Sequence, residues 1–105
     1  MARGYMGKIL FVDLSRGQLR DEALDERFCR QFIGGYGIGA RVLFSQQKAG
    51  VDPLGPDNMF GILTGPFTGT SALSGTRFTV VGKSPLTGGW GDANSGGYFG
   101  AFLKY

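Results

Sequence analysis

A glycine- and hydroxyl-rich segment over residues 61–100 holds the residue types that could bind and orient a charged ligand. It contains 11 of the chain's 20 glycines, and most of its polar side chains are serine or threonine. Glycine has no Cβ and readily adopts positive φ, so such a segment lets backbone N–H groups surround an anion. The sequence therefore predicts a phosphate-binding site in this segment.

The charges in this half of the chain also suit an anion. The formal net charge is +3, and from Met59 onward Asp92 is the one acid, against Arg77, Lys83 and Lys104. A positive environment attracts anionic ligands. A bias of this size is also common in chains that bind no anion, and that alternative stays open.

Self-contained catalysis is disfavoured by what the sequence lacks. The chain has no histidine and one cysteine, Cys29. It therefore lacks the commonest general base, and it cannot form an internal disulfide or a cysteine-based metal site. Cys29 lies in an apolar helical pattern, which predicts a buried and inert thiol.

The first half of the chain predicts a β-hairpin followed by two helices. Strand-forming residues occupy 8–14 and 18–23, with a Ser-Arg-Gly turn between them. Asp25 is a suitable N-cap for a helix that ends at Gly34. The apolar spacing predicts a second helix over residues 38–47.

The second half predicts two strands, at 59–63 and 76–81, separated by a long loop, and a helix that starts near Gly97. Together these elements predict an α+β fold, with two helices packed on one face of a mixed or antiparallel sheet. Most of the core is expected from apolar residues of the hairpin, helices and strands: Ile9, Phe11, Val12, Leu14, Leu24, Phe28, Phe32, Val42, Leu43, Ile62, Phe78 and Val80.

Length and composition predict a single domain over residues 1–105, because 105 residues with 42% hydrophobic content can form one core. The apolar run at 9–12 is too short for a signal peptide or a membrane span, so a cytoplasmic protein without membrane contact is expected. The lysines and arginines do not cluster, which argues against a nucleic-acid partner.

Several motifs are more specific than this general pattern. They are MGKILFVDLSRGQL (6–19), VDPLGPDN (51–58), GPFTGTSALSGTRF (65–78), VVGKSPLTG (80–88) and DANSGGYFGAFLKY (92–105). Together and in this order they closely resemble the N-terminal domain of the tungsten-dependent aldehyde ferredoxin oxidoreductases. Several specific motifs in one order are far stronger evidence than a lone glycine run.

The resemblance implies a cofactor of two pyranopterin dithiolenes that hold tungsten, or sometimes molybdenum, with magnesium between the pterin phosphates and a four-iron cluster nearby. It implies a parent enzyme that oxidises aldehydes to carboxylic acids and passes the electrons to ferredoxin. In this family the N-terminal domain is the base on which the cofactor lies, and other domains supply the cluster cysteines.

The resemblance also implies roles for individual residues. Arg77 matches an arginine between pterin and cluster, and Asn94 matches an asparagine that helps to hold the magnesium ion. Ser95, Gly96 and Gly97 match a backbone stretch that passes under the cofactor. No catalytic residue is implied within the chain.

The chemistry of these residues agrees with those roles. A guanidinium keeps its charge and donates up to five hydrogen bonds, and a carboxamide oxygen is a suitable magnesium ligand. The glycine amides at 96 and 97 precede a helix and would face an anion. The alternatives are a solvent-facing arginine, an asparagine at a turn, and a tight glycine turn.

Three further residues have less specific patterns. Lys83 and Thr87 flank Pro85 and would add a charge and a hydroxyl to the phosphate site. The alternative, that they lie outside that site, stays open. Trp90 would stack on the flat pterin ring, whereas a lone tryptophan in a small domain is more often part of the core.

The chain departs from the family pattern in length. It corresponds to the first half of an N-terminal domain that resembles a duplication of two α+β units, so we expect it to be inactive alone. Its expected partner is the remainder of the parent enzyme. The alternative is a stand-alone binding or structural module that pairs with a second copy of itself.

Overall fold

The computed structural model describes residues 3–105. The elements in chain order are β1 (Lys8–Asp13), β2 (Gln18–Ala23), α1 (Glu26–Phe32), α2 (Gly35–Gln46), β3 (Phe60–Thr64), β4 (Phe78–Lys83), β5 (Trp90–Ser95) and α3 (Phe99–Lys104). The predicted α+β class is confirmed, and all strand pairs are antiparallel. No helix within this range is long and apolar enough to cross a membrane.

The strands form two sheets. β1 and β2 make a hairpin, and β3, β4 and β5 make a three-stranded sheet in that order. β5 was not predicted from the sequence, because Trp-Gly-Asp-Ala-Asn-Ser lacks the β-branched residues typical of strands. The strand β5 forms through its pairing with β4, and this pairing brings Asn94 opposite Thr79.

Two of the three helices pack against the three-stranded sheet. α2 packs across β3 and β4, whereas α1 contacts α2 and α3 contacts β3. α1 begins as predicted, because the Asp25 carboxylate accepts the N–H of Arg27 at 3.2 Å. α2 begins at Gly35, three residues earlier than predicted, so the two glycines that end α1 also start the next helix.

The core lies between α2 and the sheet. The buried apolar side chains among the described residues are Cys29, Ile38, Leu43 and Val81. The prediction that Val80 lies in the core was wrong in register, because Thr79 and Val81 face α2 while Val80 lies on the opposite face and is half-buried.

Core predictions in the hairpin were also wrong. Val12 is 53% exposed and Leu14 is 86% exposed, because the extensive contacts of the hairpin are those between its own two strands. Ile62, expected in the core, is 40% exposed because its face of the sheet carries no helix across its centre.

This openness gives the chain an unusually large surface. Its accessible area is 7466 Å², whereas a folded monomer of its mass, 11.2 kDa, is expected to expose about 5,700 Å². The excess of roughly 1,800 Å² exceeds what one partner buries in an ordinary protein–protein interface. The exposed surface is therefore large enough for part of it to be covered by another folded unit.

The approach of α2 to the sheet depends on a small residue. A Cβ added at Gly39 would lie 2.7 Å from Val81 Cγ2 and 3.2 Å from Leu63 Cδ2. We expect Gly39→Ala to lower the free energy of unfolding by about 1–2 kcal/mol, because the overpacking outweighs the gain in helix propensity. Gly89→Ala is the matched control, since its Cβ meets no atom closer than 3.7 Å. Equal stability of the two variants in urea unfolding would contradict this account.

Candidate functional site

A cavity of about 540 Å³ lies between the start of α2 and the sheet. Its walls come from the α1–α2 junction, the loop that follows β3, and the adjacent ends of β4 and β5. The cavity therefore forms where segments far apart in the sequence meet. We call the part of its wall at residues 33–37 the junction wall.

Arg77 and Asn94 both line this cavity. Arg77 lies immediately before β4, and Asn94 lies on β5 opposite Thr79, on the face that α2 covers. The Arg77 Nε–H donates to Asn94 Oδ1. The structure thus brings together the two side chains that the sequence analysis singled out, and the terminal amino groups of Arg77 make no hydrogen bond within residues 3–105.

The glycines that follow lie beside Arg77 without lining the cavity. A Cβ at Gly96 would be 3.7 Å from Arg77 Nη1, and Gly97 has φ of 91°, which favours glycine. Ser95 pairs with Phe78 and therefore faces away from Asn94. Its hydroxyl contacts the Gly96 carbonyl at 3.4 Å. The chain bends at Gly97, and the Ser95 side chain is not part of the cavity wall.

Lys83, Thr87 and Trp90 lie at the opposite end of β4 and β5. Lys83 pairs with Trp90, and its Nζ donates to the Val51 carbonyl at 2.6 Å. The indole N–H of Trp90 donates to Asp92 Oδ2 at 2.6 Å. These residues do not line the cavity, so the structure separates them from the Arg77–Asn94 pair.

The loop at 65–75 is held by two residues that the sequence did not reveal. Thr68 is 3% exposed, and its Oγ1 accepts from Gly65 N and donates to the Arg77 carbonyl, both at 2.9 Å. Lys104 Nζ donates to the carbonyls of Gly65, Pro66 and Thr68 at 2.8, 3.2 and 2.9 Å. Burial lowers the pKa of Lys104. These contacts order one wall of the cavity.

Cys29 is buried, as predicted, with 1% of its surface exposed. Burial raises the pKa of its thiol, and the carboxylates of Asp25 and Glu26 raise it further. We expect a thiol reagent at neutral pH to modify Cys29 at least about 10-fold more slowly in the folded chain than in denaturant, because little thiolate forms. Equal rates in an Ellman assay would show that the thiol is accessible.

Comparison with known proteins identifies the family. The family model described as aldehyde ferredoxin oxidoreductase, N-terminal domain, matches residues 9–105. The chain belongs to the aldehyde ferredoxin oxidoreductase family. The resemblance stated from the sequence motifs is thereby confirmed.

Relatives in this family are much longer than the chain. The tungsten-containing aldehyde ferredoxin oxidoreductase of Pyrococcus horikoshii is 48% identical over 102 residues, which cover 97% of this chain and 17% of that protein. The enzyme of the same description from Thermococcus kodakarensis is 45% identical over the same shares. The aliphatic sulfonate oxidoreductase WOR-like subunit of Pyrococcus furiosus is 40% identical over 88 residues, which cover 81% of this chain and 14% of that subunit.

A solved structure has the same fold. It is the active site complex BamBC of benzoyl coenzyme A reductase, in complex with 1,5-dienoyl-CoA. The match has a TM-score of 0.92 at 32% identity and covers 100% of this chain and 16% of that one. The chain therefore spans about one sixth of the length of the aldehyde ferredoxin oxidoreductases and related enzymes that it matches.

Proposed function

We propose that this chain is the part of a tungsten bis-pterin oxidoreductase on which the pterin phosphates lie, with Arg77 and Asn94 at the phosphate position. The observation that carries the proposal is the lining of the cavity. Arg77 is the only charged residue in that lining within residues 3–105. A guanidinium fork binds phosphate oxygens through several charge-assisted hydrogen bonds, so the cavity suits an anion.

The rest of the cavity suits a flat ring attached to that anion. Phe32 and Phe67 contribute aromatic surface, and Leu63 and Ile33 contribute aliphatic surface. A largely apolar cavity of a few hundred cubic ångströms with a small number of polar groups is typical of a ligand site. The residues present therefore fit a pterin with a phosphate tail.

A magnesium ion beside Asn94 would need phosphate oxygens as additional ligands. Residues 3–105 hold no group of three His, Cys, Asp or Glu side chains that could bind a metal ion. Asn94 Oδ1 accepts from Arg77, and a carboxamide oxygen keeps a second lone pair for a metal. Magnesium at this position would take its other ligands from phosphate oxygens and water. Gly96, Gly97 and the Ser95 main chain would lie beside it.

The activity belongs to the parent enzyme in this proposal. The bound tungsten group supplies the chemistry that oxidises an aldehyde to a carboxylic acid, with ferredoxin as electron acceptor. A four-iron cluster needs four thiolates, and this chain has Cys29 alone, so other parts of the parent supply them. The residues described above bind and orient the cofactor, and the chain alone is inactive. We place the parent enzyme in the cytoplasm.

The proposal is tested by titrating the 105-residue chain with a synthetic pterin that carries a phosphomonoester, and following backbone amide shifts by NMR. We expect shifts at Arg77, Asn94, Gly96 and Gly97. The same pterin without phosphate should bind much more weakly, and magnesium should tighten binding of the phosphorylated form only. Equal binding of both pterins, or no binding, would overturn the proposal.

The large exposed surface favours a second candidate, a module that pairs with a second copy of itself. Phe60 is 65% exposed on the open face of the sheet, next to Ile62 and Val80. Two copies that bury this face would each remove apolar surface from water, as a two-fold dimer does. A dimer in light scattering that Phe60→Lys dissociates would support this candidate, and a monomer at high concentration would exclude it.

A further inference from the structure

The junction wall contains a strained residue. Ile33 has φ of 63° and ψ of −68°, and the Gly34 N–H donates to the Phe32 carbonyl at 2.7 Å. This is a γ-turn with positive φ, which is rare and strained in proteins. A β-branched side chain makes such a conformation less favourable still. Because Ile33 is 63% exposed, side-chain packing contributes little to holding it there.

A hydroxyl from the start of the chain holds this turn. Tyr5 OH donates to the Ile33 carbonyl at 2.6 Å, across 28 residues of sequence. Burial raises the pKa of the Tyr5 phenol, and the Cys29 thiol raises it further, so the hydroxyl keeps its proton at neutral pH. The neighbouring Gly4 lies so close to Pro66 that an added Cβ would be 2.6 Å from the Pro66 carbonyl oxygen. The segment at residues 4–5 therefore contacts both the junction wall and the loop at 65–75.

The direction of the γ-turn determines where the junction wall lies. Gly34 is the last residue of the turn, and α2 starts at Gly35. Gly35 lies against Thr79, and both residues line the cavity. Residues 33–37 face the cavity that contains Arg77 and Asn94. A change in φ at Ile33 would move this wall relative to Arg77, which lies in a different segment, immediately before β4.

We propose that Tyr5 is a positioning residue for the cavity: its hydroxyl holds the Ile33 γ-turn and so keeps the junction wall in place against a ligand bound at Arg77. This inference rests on the proposed function, because the ligand is the pterin phosphomonoester. Tyr5 itself does not line the cavity. Its effect on binding is indirect, through Ile33.

The test compares Tyr5→Phe with the original chain by NMR titration with the pterin phosphomonoester. We expect the dissociation constant to rise about 5- to 10-fold in Tyr5→Phe, the range of one lost hydrogen bond, and the Gly34 amide to exchange with solvent faster. Tyr105→Phe is the matched control, since it also removes a hydroxyl bonded to a carbonyl, that of Gly69 at 3.0 Å. Its affinity should change less than about 2-fold, within the range of a neutral surface change.

A second background separates positioning from a general loss of stability. In Ile33→Gly the turn depends less on the Tyr5 hydroxyl, because glycine adopts positive φ readily. Tyr5→Phe should therefore weaken binding less in that background than in the original chain. Failure of the original chain to bind the phosphopterin would overturn the proposed function and this inference together. Binding by the original chain with unchanged affinity in Tyr5→Phe, or an equal loss in Tyr105→Phe, would overturn the positioning role alone.

Discussion

Arg77→Met will weaken binding of the pterin phosphomonoester by about 10- to 100-fold, which is the effect of losing hydrogen bonds between a cation and an anion. Arg77 supplies the only charge in the cavity lining within the described range, so no other residue of that lining can replace it. Methionine keeps an unbranched, flexible side chain of similar reach but donates no hydrogen bond. NMR or calorimetric titration measures the change, and binding of the unphosphorylated pterin should stay the same.

Two further variants make this result specific. Arg77→Lys keeps the charge but loses the planar fork, so its affinity should fall between those of the original chain and Arg77→Met. Arg27→Met removes an exposed arginine of α1 that does not line the cavity, and should leave binding unchanged. If Arg27→Met lowered the affinity as much as Arg77→Met, the net charge of the chain would explain binding better than a site at Arg77.

Thr68→Val will lower the free energy of unfolding by about 2–4 kcal/mol, because it removes the hydrogen-bond partner of two backbone groups in a buried place. The Thr68 hydroxyl accepts from Gly65 N and donates to the Arg77 carbonyl. Valine has nearly the same shape, so packing changes little. Urea unfolding followed by circular dichroism measures the loss.

The chain offers a closely matched control for this change. Thr70 also donates to a carbonyl, that of Phe67 at 2.7 Å, and accepts from Ala72 N at 3.3 Å, but it is exposed. Water can replace its hydroxyl, so Thr70→Val should cost less than about 1 kcal/mol. Thr68→Ser keeps the hydroxyl and should retain most of the stability. A large loss in Thr70→Val, or none in Thr68→Val, would contradict the account.

The elements with strong local patterns were predictable. The hairpin, the Asp25 cap and the strands β3 and β4 follow from residue types within a few positions of one another. β5 was not predictable in this way, because its residues have low strand propensity and the ladder with β4 forms it. The same distinction explains the core errors, since the burial of Val12 and Leu14 depends on which element covers the hairpin.

The candidate site shows the same limit. Arg77 and Asn94 were singled out by resemblance, whereas the cavity that contains both depends on the pairing of β5 with β4. Lys104 reaches carbonyls 36 to 39 residues earlier in the chain, and Tyr5 reaches Ile33 across 28 residues. No local pattern marks contacts of this length, so residues that order the walls could not be found from the sequence.

The sequence by itself determined the family, the α+β class and the residue types available for an anion, because motifs, local propensities and composition depend only on the order of residues along the chain. Only the tertiary structure decided which of those residues share a cavity, which apolar faces stay open and which side chains hold the loops. The physical reason is that hydrogen bonds and packing act over a few ångströms in space, and folding alone brings distant segments that close.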